Sequence, residues 1–264
     1  MRTYLKSILS VDVETTGLDP GDAEIIELGV VAPEPEGWFT VYDAFYKPVR
    51  PIPPASSAVH GITESMVADR PVLTGATAPM VLTDHPGYFT AHNAGFDRIL
   101  LDQTLGDRIP DGVSDPDRWI CTYRLARHLL PGLPSYSLQY LRYYLSLPLG
   151  REVVPHQAGP DALIGGYLLE ALAGIAVDYG LVPAADGMDD RLARLARIPI
   201  HIETWPLGQK YKGVALTDLP DDYLEWAVVT LDSLNEKSGS YDPDLAEAVA
   251  SLMISRGYQG AGTQ

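Results

Sequence analysis

The chain has few of the features on which secreted and membrane proteins depend. Cys121 is the single cysteine among 264 residues, which excludes an internal disulfide, and we expect its thiol to be a core residue. No stretch approaches the roughly 20 apolar residues of a membrane span. The apolar run near the N-terminus is too short for a signal peptide, and Asp12 interrupts it. These absences predict a cytoplasmic protein with no membrane partner.

Positive charge is also scarce. Lys and Arg number 19 against 35 Asp and Glu, which gives a net charge of −16. A protein with this balance repels polyanions at long range and gains little from the counterion release that favours nucleic-acid binding. The exception is the arginine-rich stretch, residues 118–151, which contains five arginines, one tryptophan and five tyrosines but no acidic residue.

Arginines interleaved with aromatic residues can hold phosphates and stack unpaired bases. Arg124 and Arg127 lie within this stretch and are candidate contacts with a nucleic-acid backbone. The alternative is that the aromatic residues belong to the core and the arginines to an ordinary solvated face, because Leu138, Leu141 and Leu145 have helical spacing. The sequence leaves both interpretations open.

Two acidic residues stand at the end of a predicted strand. Asp12 and Glu14 follow the apolar run 8–11, and side chains at i and i+2 of a strand point to the same face. Like charges this close raise one pKa strongly or require a cation between them, and hard oxygen ligands suit Mg²⁺ or Mn²⁺. Taken alone, such a pair is more often two solvated acids at a strand end.

Two further motifs favour the metal interpretation. Residues 92–97 read His-Asn-Ala-Gly-Phe-Asp, which places Asp97 in the first turn of a predicted helix. Residues 156–161 read His-Gln-Ala-Gly-Pro-Asp and precede a small and apolar helical pattern. In this order the three motifs resemble those of the DEDDh family of 3′ to 5′ exonucleases. Residues 58–71 are similar to a segment found in both the exodeoxyribonuclease X branch and the polymerase proofreading subunits of that family. Residues 119–127 and 206–226 are similar to the exodeoxyribonuclease X branch in particular.

The resemblance implies a ribonuclease H-like α/β fold, with a mixed sheet flanked by helices, and a two-metal active site. Asp12, Glu14, Asp97 and Asp161 would hold two Mg²⁺ or Mn²⁺ ions, and His156 would be the general base. Pro160 departs from the family pattern. Because proline is tolerated only in the first turn of a helix, we expect this helix to begin near residue 159 or 160, with His156 on the preceding loop.

The remaining candidates concern the substrate. The resemblance implies that the turn Thr15-Thr16-Gly17 lets a terminal nucleotide approach the backbone closely. His60 is a candidate contact with that nucleotide or a turn cap, whereas His92 and Asn93 would orient the second motif and line the DNA groove. Lys210 and Lys212 lie in the acid-free run 204–217 and are candidate contacts with the DNA backbone, although a structural hairpin would show the same pattern.

The predicted organisation is an exonuclease domain followed by a smaller module. Strand-like runs at 8–13, 25–32, 39–46, 88–91 and 119–121 are combined with helical patterns, as in a mixed sheet flanked by helices. We expect the exonuclease domain over residues 1–178, a linker over 179–198 and a small C-terminal module over 199–264. Within the module, helices are predicted near 221–234 and 242–256.

These features predict a metal-dependent 3′ to 5′ exodeoxyribonuclease that releases nucleoside 5′-monophosphates from single-stranded DNA or the 3′ ends of duplexes, in DNA repair, recombination or DNA degradation. A polymerase proofreading subunit and an RNA-trimming exonuclease share the ligand set and stay open as alternatives. A non-catalytic nucleic-acid-binding module on the same fold is disfavoured, because unpaired clustered charge is costly to keep. A protein partner of the C-terminal module also stays open.

Overall fold

A computed structural model of the chain describes residues 4–106, 111–150, 153–235 and 241–258, so Arg151 of the arginine-rich stretch lies outside the described residues. The strands are β1 (Ile8–Thr15), β2 (Ile25–Glu34), β3 (Gly37–Phe45), β4 (Tyr88–Ala91) and β5 (Trp119–Cys121). The α-helices are α1 (Pro54–His60), α2 (Glu64–Val67), α3 (Met80–Thr83), α4 (Ala94–Leu105), α5 (Asp111–Ser114), α6 (Thr122–Leu129), α7 (Leu138–Tyr144), α8 (Ala158–Asp178), α9 (Met188–Arg197), α10 (Asp221–Thr230) and α11 (Pro243–Ser255).

The strands form a mixed sheet with the order β3-β2-β1-β4-β5. The pairs β1–β2 and β2–β3 are antiparallel, whereas β1–β4 and β4–β5 are parallel. The predicted mixed sheet is confirmed, and each predicted strand run contains a strand. Because β1 and β4 are parallel, the end of β1 with Glu14 and the second motif directly after β4 meet at the same edge of the sheet.

The alternation of side chains along β1 separates two layers of the core. Leu9, Val11 and Val13 pack with residues of α4 in one hydrophobic cluster. Ile8 packs with residues of α6, α8 and α9 in another cluster. Since successive side chains of a strand point to opposite faces, Asp12 and Glu14 share the face of Ile8 and point toward α8.

Helix α8 approaches the sheet closely where glycines replace larger residues. A side chain added at Gly166 would come within 2.5 Å of the Trp38 ring. Ser10 Oγ donates a 2.7 Å hydrogen bond to the Ala162 carbonyl oxygen.

By length and composition α8 is apolar enough to cross a membrane, contrary to the expectation from the sequence. However, 56% of its most apolar window is buried in this fold. A helix that is apolar nearly all round is expected where it forms the centre of a core.

The predicted linker over residues 179–198 is wrong for its second half. Residues 188–197 form α9, whose Met188, Leu192, Ala193 and Ala196 are buried in the cluster that contains α6 and α8. The helical spacing of these apolar residues outweighs the Gly and Pro content of residues 180–187 that suggested a linker. The chain divides into two compact units only after α9, at Met1–Ile198 and Pro199–Gln264.

The second unit has a small core of its own. Trp205, Leu224 and Leu245 are fully buried, and the Trp205 ring packs edge-on against Tyr223. Helices α10 and α11 lie where the sequence predicts the two C-terminal helices. Thr204 and Ala215 pair in an isolated antiparallel bridge, which closes the segment that contains Lys210 and Lys212.

Candidate active site

Three carboxylates from two elements meet at the edge of the sheet. Asp12 and Glu14 extend from β1, and Asp161 lies in the first turn of α8. Each offers one oxygen, and these three oxygens lie within 4.8 Å of one another. The structure therefore brings together the first and third motifs, which are separated by more than half of the chain.

Asp97 approaches this group from another element. It lies in the first turn of α4, is 4% exposed, and accepts a hydrogen bond from the Val13 backbone. Asp97 is outside the group of three carboxylates, but its negative charge raises the pKa of both Asp12 and Glu14. The fourth predicted carboxylate is thus close enough to interact electrostatically with Asp12 and Glu14.

Burial and mutual repulsion disfavour the charged forms of these groups. Burial, followed by the charges of Asp97 and Asp161, raises the pKa of Asp12 well above its usual value. Burial and the charges of Asp161 and Glu27 raise the pKa of Glu14 to about 8, and burial raises the pKa of Asp97 to about 7. Within the described residues, none of these carboxylates forms an ion pair with Lys or Arg.

The donor set fits a divalent cation. Carboxylate oxygens are hard ligands of the kind that Mg²⁺ and Mn²⁺ prefer, and three of them converge here. A nearby positive charge would lower the raised pKa values, because it favours the ionised form of each carboxyl. Asp12, Glu14 and Asp161 are the residues that would hold such an ion.

His156 lies on the loop before α8, as Pro160 predicts. The helix begins at Ala158 with Gln157 as its N-cap, one residue before the expected range, and Pro160 lies in the first turn, where helix N–H groups have no intrahelical acceptor. His156 is exposed, and its backbone is left-handed, with a φ of 60°. Its N–H donates a 2.9 Å hydrogen bond to Asp161 Oδ2. The imidazole is therefore outside the helix but tied through its backbone to a candidate metal ligand.

Two residues that were not predicted as site residues interact with the start of α8. Gln139 Nε2 donates a 3.0 Å hydrogen bond to Asp161 Oδ1. Glu27 Oε2 accepts a 3.1 Å hydrogen bond from the Ala158 N–H. A signal for Glu27 exists, since an acidic residue interrupts the apolar run 25–31 and acidic residues are seldom buried. Gln139 gives no comparable signal, because polar residues are common on helices.

The turn after β1 is held by its own hydrogen bonds. Thr15 Oγ1 donates to the Gly17 carbonyl oxygen at 2.6 Å, and Thr16 Oγ1 accepts from the Glu24 N–H at 2.9 Å. A side chain added at Gly17 would meet nothing within 4 Å, so the space beside this backbone is open. This geometry allows the predicted close approach of a ligand, and the contact itself stays a prediction.

His60 is 8% exposed and lies near this turn. Its Nδ1 accepts a 3.0 Å hydrogen bond from the Ile62 N–H, which gives His60 the turn-capping role considered from the sequence. Burial lowers the pKa of His60, so the ring is neutral at neutral pH. Its Nε2 is buried and has no hydrogen-bond partner in the described part of the chain. A role in nucleotide binding stays a prediction.

His92 and Asn93 orient the second motif. His92 Nε2 lies 2.9 Å from the Tyr136 carbonyl oxygen, and its Nδ1 lies 3.0 Å from Thr122 Oγ1. Burial lowers the pKa of His92 to about 4, so this ring is neutral. Asn93 is the N-cap of α4 with a left-handed backbone, φ 68°, which asparagine tolerates better than most residues. The structure gives both residues a structural task, and contact with DNA stays a prediction.

Arg124 serves the fold. Its Nε and Nη2 atoms donate hydrogen bonds of 2.6 and 2.9 Å to the carbonyl oxygens of Ala196 and Ile198. These carbonyls lie at the C-terminal end of α9, where helix carbonyl groups lack intrahelical donors. These bonds favour the structural alternative at Arg124 over the predicted phosphate contact. The Arg127 guanidinium lies 5.5 Å from the centre of the Tyr123 ring, and its contact with DNA stays a prediction.

Lys210 and Lys212 are exposed on the second unit. Lys210 Nζ lies 4.7 Å from the centre of the Tyr211 ring, and its interaction with Tyr211 raises the pKa of this lysine. Both side chains present positive charge to solvent in a chain of net charge −16. Their predicted contact with a phosphate backbone is compatible with this exposure and stays a prediction.

Known proteins resemble both units of the chain. Residues 9–169 match the family model described as Exonuclease. Exodeoxyribonuclease 10 of Escherichia coli (strain K12) is 31% identical over 231 residues, which cover 85% of this chain and 92% of that protein. The DNA polymerase III subunit epsilon of Treponema pallidum (strain Nichols) is 30% identical over 154 residues, which cover 58% of this chain and 70% of that protein.

A solved structure of exonuclease X in complex with 5′ overhanging duplex DNA is also similar. Its TM-score is 0.54 with 30% sequence identity, and the match covers 72% of this chain and 99% of that chain. The ribonuclease H-like fold expected from the resemblance is thereby confirmed. The family match runs from β1 into α8 and contains all three acidic motifs. The chain therefore belongs to the exonuclease family and is a member of its DEDDh type.

Proposed function

We propose that this protein is a 3′ to 5′ exodeoxyribonuclease that uses Mg²⁺ or Mn²⁺, two ions per site, and releases nucleoside 5′-monophosphates. The observation that carries the proposal is the convergence of Asp12, Glu14 and Asp161 within 4.8 Å in a member of the exonuclease family. The family generally uses divalent metal ions. Mutually repelling, buried carboxylates without an ion pair in the described residues are the expected state of a site that binds cations.

DNA is the substrate that the relatives favour. The similarity to exodeoxyribonuclease 10 covers 85% of the chain, which is more than the first unit alone contains, so the second unit takes part in the match. The solved structure of exonuclease X contains duplex DNA with a 5′ overhang. A proofreading subunit is the second candidate, because subunit epsilon is 30% identical, but that match covers only 58% of this chain.

Each candidate residue has a distinct task in the proposed reaction. Asp12, Glu14 and Asp161 would hold one ion, and Asp12 with help from Asp97 would hold the other. When bound, such a pair of ions supplies an activated water and neutralises the charge that develops on the phosphate and the departing 3′ oxygen. The fold contributes by holding the carboxylates at one sheet edge before the substrate arrives.

His156 is the proposed general base. An imidazole can take a proton from water at neutral pH, and this one stands on an exposed loop beside Asp161.

The open backbone at Gly17 and the buried Nε2 of His60 would receive the terminal nucleotide. Arg127, Lys210 and Lys212 are the proposed contacts with more distant phosphates. We place the enzyme in the cytoplasm, in DNA repair, recombination or DNA degradation.

A single gel assay tests the proposal. Three 5′-labelled substrates, namely single-stranded DNA, duplex DNA with a 5′ overhang and RNA, are each incubated with Mg²⁺, Mn²⁺ or EDTA. The proposal predicts stepwise shortening of DNA from its 3′ end, released 5′-monophosphates, and no reaction in EDTA or with Asp12→Ala. Equal or faster shortening of RNA would favour the RNA-trimming alternative. Turnover by Asp12→Ala in EDTA would refute the metal-dependent mechanism altogether.

A further inference from the structure

Glu27 is a buried acidic residue to which the proposed mechanism assigns no task. It lies on β2 directly opposite Glu14 in the antiparallel ladder and is 3% exposed. Its Oε2 accepts a 3.1 Å hydrogen bond from the N–H of Ala158, the first residue of α8. The first N–H groups of a helix have no intrahelical acceptor. Glu27 therefore acts as an N-terminal cap for α8 that comes from a different element.

Asp43 on β3 completes this cap. It is opposite Gly29 in the β2–β3 ladder, so its side chain lies on the same face of the sheet as that of Glu27. The carboxyl group of Asp43 lies next to that of Glu27 and interacts with it. A side chain added at Gly159 would lie 2.2 Å from Asp43 Oδ2. Two strands thus provide two carboxyl groups that contact successive residues of α8.

The start of α8 packs directly against the sheet. It lies between the cluster of Asp12, Glu14 and Asp161 and the pair of Glu27 and Asp43. A side chain added at Gly29 would lie 2.3 Å from the Ala158 carbonyl carbon and 2.4 Å from the Gly159 nitrogen. Gly29 is also opposite Asp12 on β1. Asp161 follows Ala158 by three residues, which is less than one helical turn. Any displacement of this first turn therefore moves Asp161 relative to Asp12.

We propose that Glu27 is a positioning residue of the active site, which fixes the first turn of α8 through Ala158 and Asp43 and so sets the distance between Asp161 and the carboxylates of β1. The inference rests on the proposed function, because the distance matters only if these carboxylates share an ion. The task requires a hydrogen-bond acceptor for Ala158 and a partner for Asp43. A glutamine side chain offers both, since its carbonyl oxygen accepts and its amide donates.

The test compares Glu27→Ala and Glu27→Gln in the full chain by Mn²⁺ titration, with free Mn²⁺ followed by electron paramagnetic resonance in the absence of DNA. We expect Glu27→Ala to weaken Mn²⁺ binding by about 10- to 100-fold, the usual cost of losing a residue that orients a metal ligand. Glu27→Gln should bind Mn²⁺ nearly as well as the wild type. The rate of DNA hydrolysis at saturating Mn²⁺ is measured in parallel.

Ser10→Ala is the matched control. It removes the hydrogen bond of Ser10 to Ala162, another link between α8 and the sheet that lies one residue beyond Asp161. We expect this variant to lower the melting temperature while Mn²⁺ affinity is unchanged. A general loosening of α8 would instead weaken Mn²⁺ binding in Ser10→Ala and Glu27→Ala alike, and the specific role of Glu27 would be refuted.

Two other results would overturn the inference. One is wild-type Mn²⁺ affinity in Glu27→Ala. The other is a Glu27→Gln protein as weak as Glu27→Ala, which would make the charge of Glu27 the important property. If Glu27→Ala does not fold, Gly159→Ala replaces it, because the added methyl group meets Asp43 and displaces the same turn while Glu27 is kept. Unchanged Mn²⁺ affinity in Gly159→Ala then overturns the inference.

The same titration separates this inference from the proposed function. If the wild-type protein neither binds Mn²⁺ nor hydrolyses DNA, the proposed function fails and this inference fails with it. If the wild type does both and all variants match it, only the role of Glu27 is refuted.

Discussion

The carboxylate edge of β1 and the arginine-rich stretch are both clusters of one charge in the sequence, but the fold treats them differently. At the carboxylate edge, Asp12, Glu14 and Asp161 lie within 4.8 Å, and no ion pair in the described residues compensates them. In the arginine-rich stretch, Arg124 already donates to two carbonyl oxygens at the end of α9. A cluster of one charge therefore indicates a binding site where the fold leaves that charge without an ion pair.

The energetic reason is the cost of burial. An ionised carboxylate without a partner is expensive to bury, so a group of them persists only where another requirement outweighs stability. An arginine whose donors meet helix carbonyls contributes to stability and needs no such requirement. Substitution of a carboxylate should accordingly lower activity and not stability. Substitution of Arg124 should lower stability and not activity.

Asp12→Asn should give the largest change in activity. We expect a loss of about 10³-fold or more in hydrolysis, because metal coordination supplies several kcal/mol of transition-state stabilisation and each 1.36 kcal/mol is a factor of ten. The melting temperature in EDTA should rise, since one charge leaves a crowded group. Rates with labelled single-stranded DNA and thermal unfolding in EDTA provide the measurements. Glu36→Gln, on the exposed turn between β2 and β3, is the control and should change neither.

His156→Asn should lower kcat by about 10²- to 10⁴-fold, the usual contribution of general-base catalysis, with little change in KM for DNA. Asparagine is chosen because it tolerates the left-handed backbone at φ 60°, so the N–H bond to Asp161 is kept. Steady-state kinetics on a short oligonucleotide measure both constants. A raised KM with an unchanged kcat would reassign His156 to substrate binding.

Stability should depend on pH in the direction set by the raised pKa values. Glu14 has a pKa of about 8 and Asp97 a pKa of about 7, so the folded protein keeps protons that the unfolded chain releases near pH 4. In EDTA the free energy of unfolding should therefore fall as pH rises from about 4.5 to about 8, and then level off. Mn²⁺ should restore stability at pH 8, and Glu14→Gln should flatten the decline.

Thermal unfolding from pH 5 to pH 9, with EDTA or Mn²⁺, measures this dependence. Stability that rose through the same pH range in EDTA would show that the carboxylates are compensated in the folded protein. The contrast between the carboxylate edge and the arginine-rich stretch would then disappear.

Arg124→Ala should destabilise the protein by about 1 to 3 kcal/mol, because two helix carbonyls lose a charged donor. The slope of DNA affinity against salt concentration should stay as in the wild type. Arg127→Ala, which removes a cation–π contact with Tyr123 from the same helix, is the comparison for the salt slope. A salt slope reduced by about 0.7 in Arg124→Ala would instead support the phosphate contact predicted from the sequence.

The smallest effect is expected from Lys210→Ala combined with Lys212→Ala. If both lysines contact phosphates of a single strand, the salt slope should fall by about 0.7 for each lost contact. Hydrolysis at saturating DNA should stay near the wild-type rate, because the carboxylate edge is unchanged. An unchanged salt slope would assign these lysines to solubility or to the structure of the second unit.

The sequence predicts those parts of the site that depend on residues close to one another along the chain. Asp12 and Glu14 on one face of a strand, Asp97 in a first helical turn and the start of α8 near Pro160 all follow from local spacing. The cap that Glu27 and Asp43 form is not predictable in this way, because it depends on the register of three strands and on where α8 meets them. The hydrogen bonds of Arg124 are unpredictable for a related reason, since its acceptors lie at the C-terminal end of α9, within the segment predicted to be a linker.

The most direct test of the account is Mn²⁺ binding to the wild-type protein and to Asp12→Asn, followed by electron paramagnetic resonance without DNA. The central claim is that the fold holds converging carboxylates without ion pairs for a divalent cation. It predicts saturable Mn²⁺ binding by the wild type and a loss of affinity of at least about tenfold in Asp12→Asn, as expected when a direct ligand is removed. Failure of the wild type to bind Mn²⁺, or equal affinity in the two proteins, would contradict the claim.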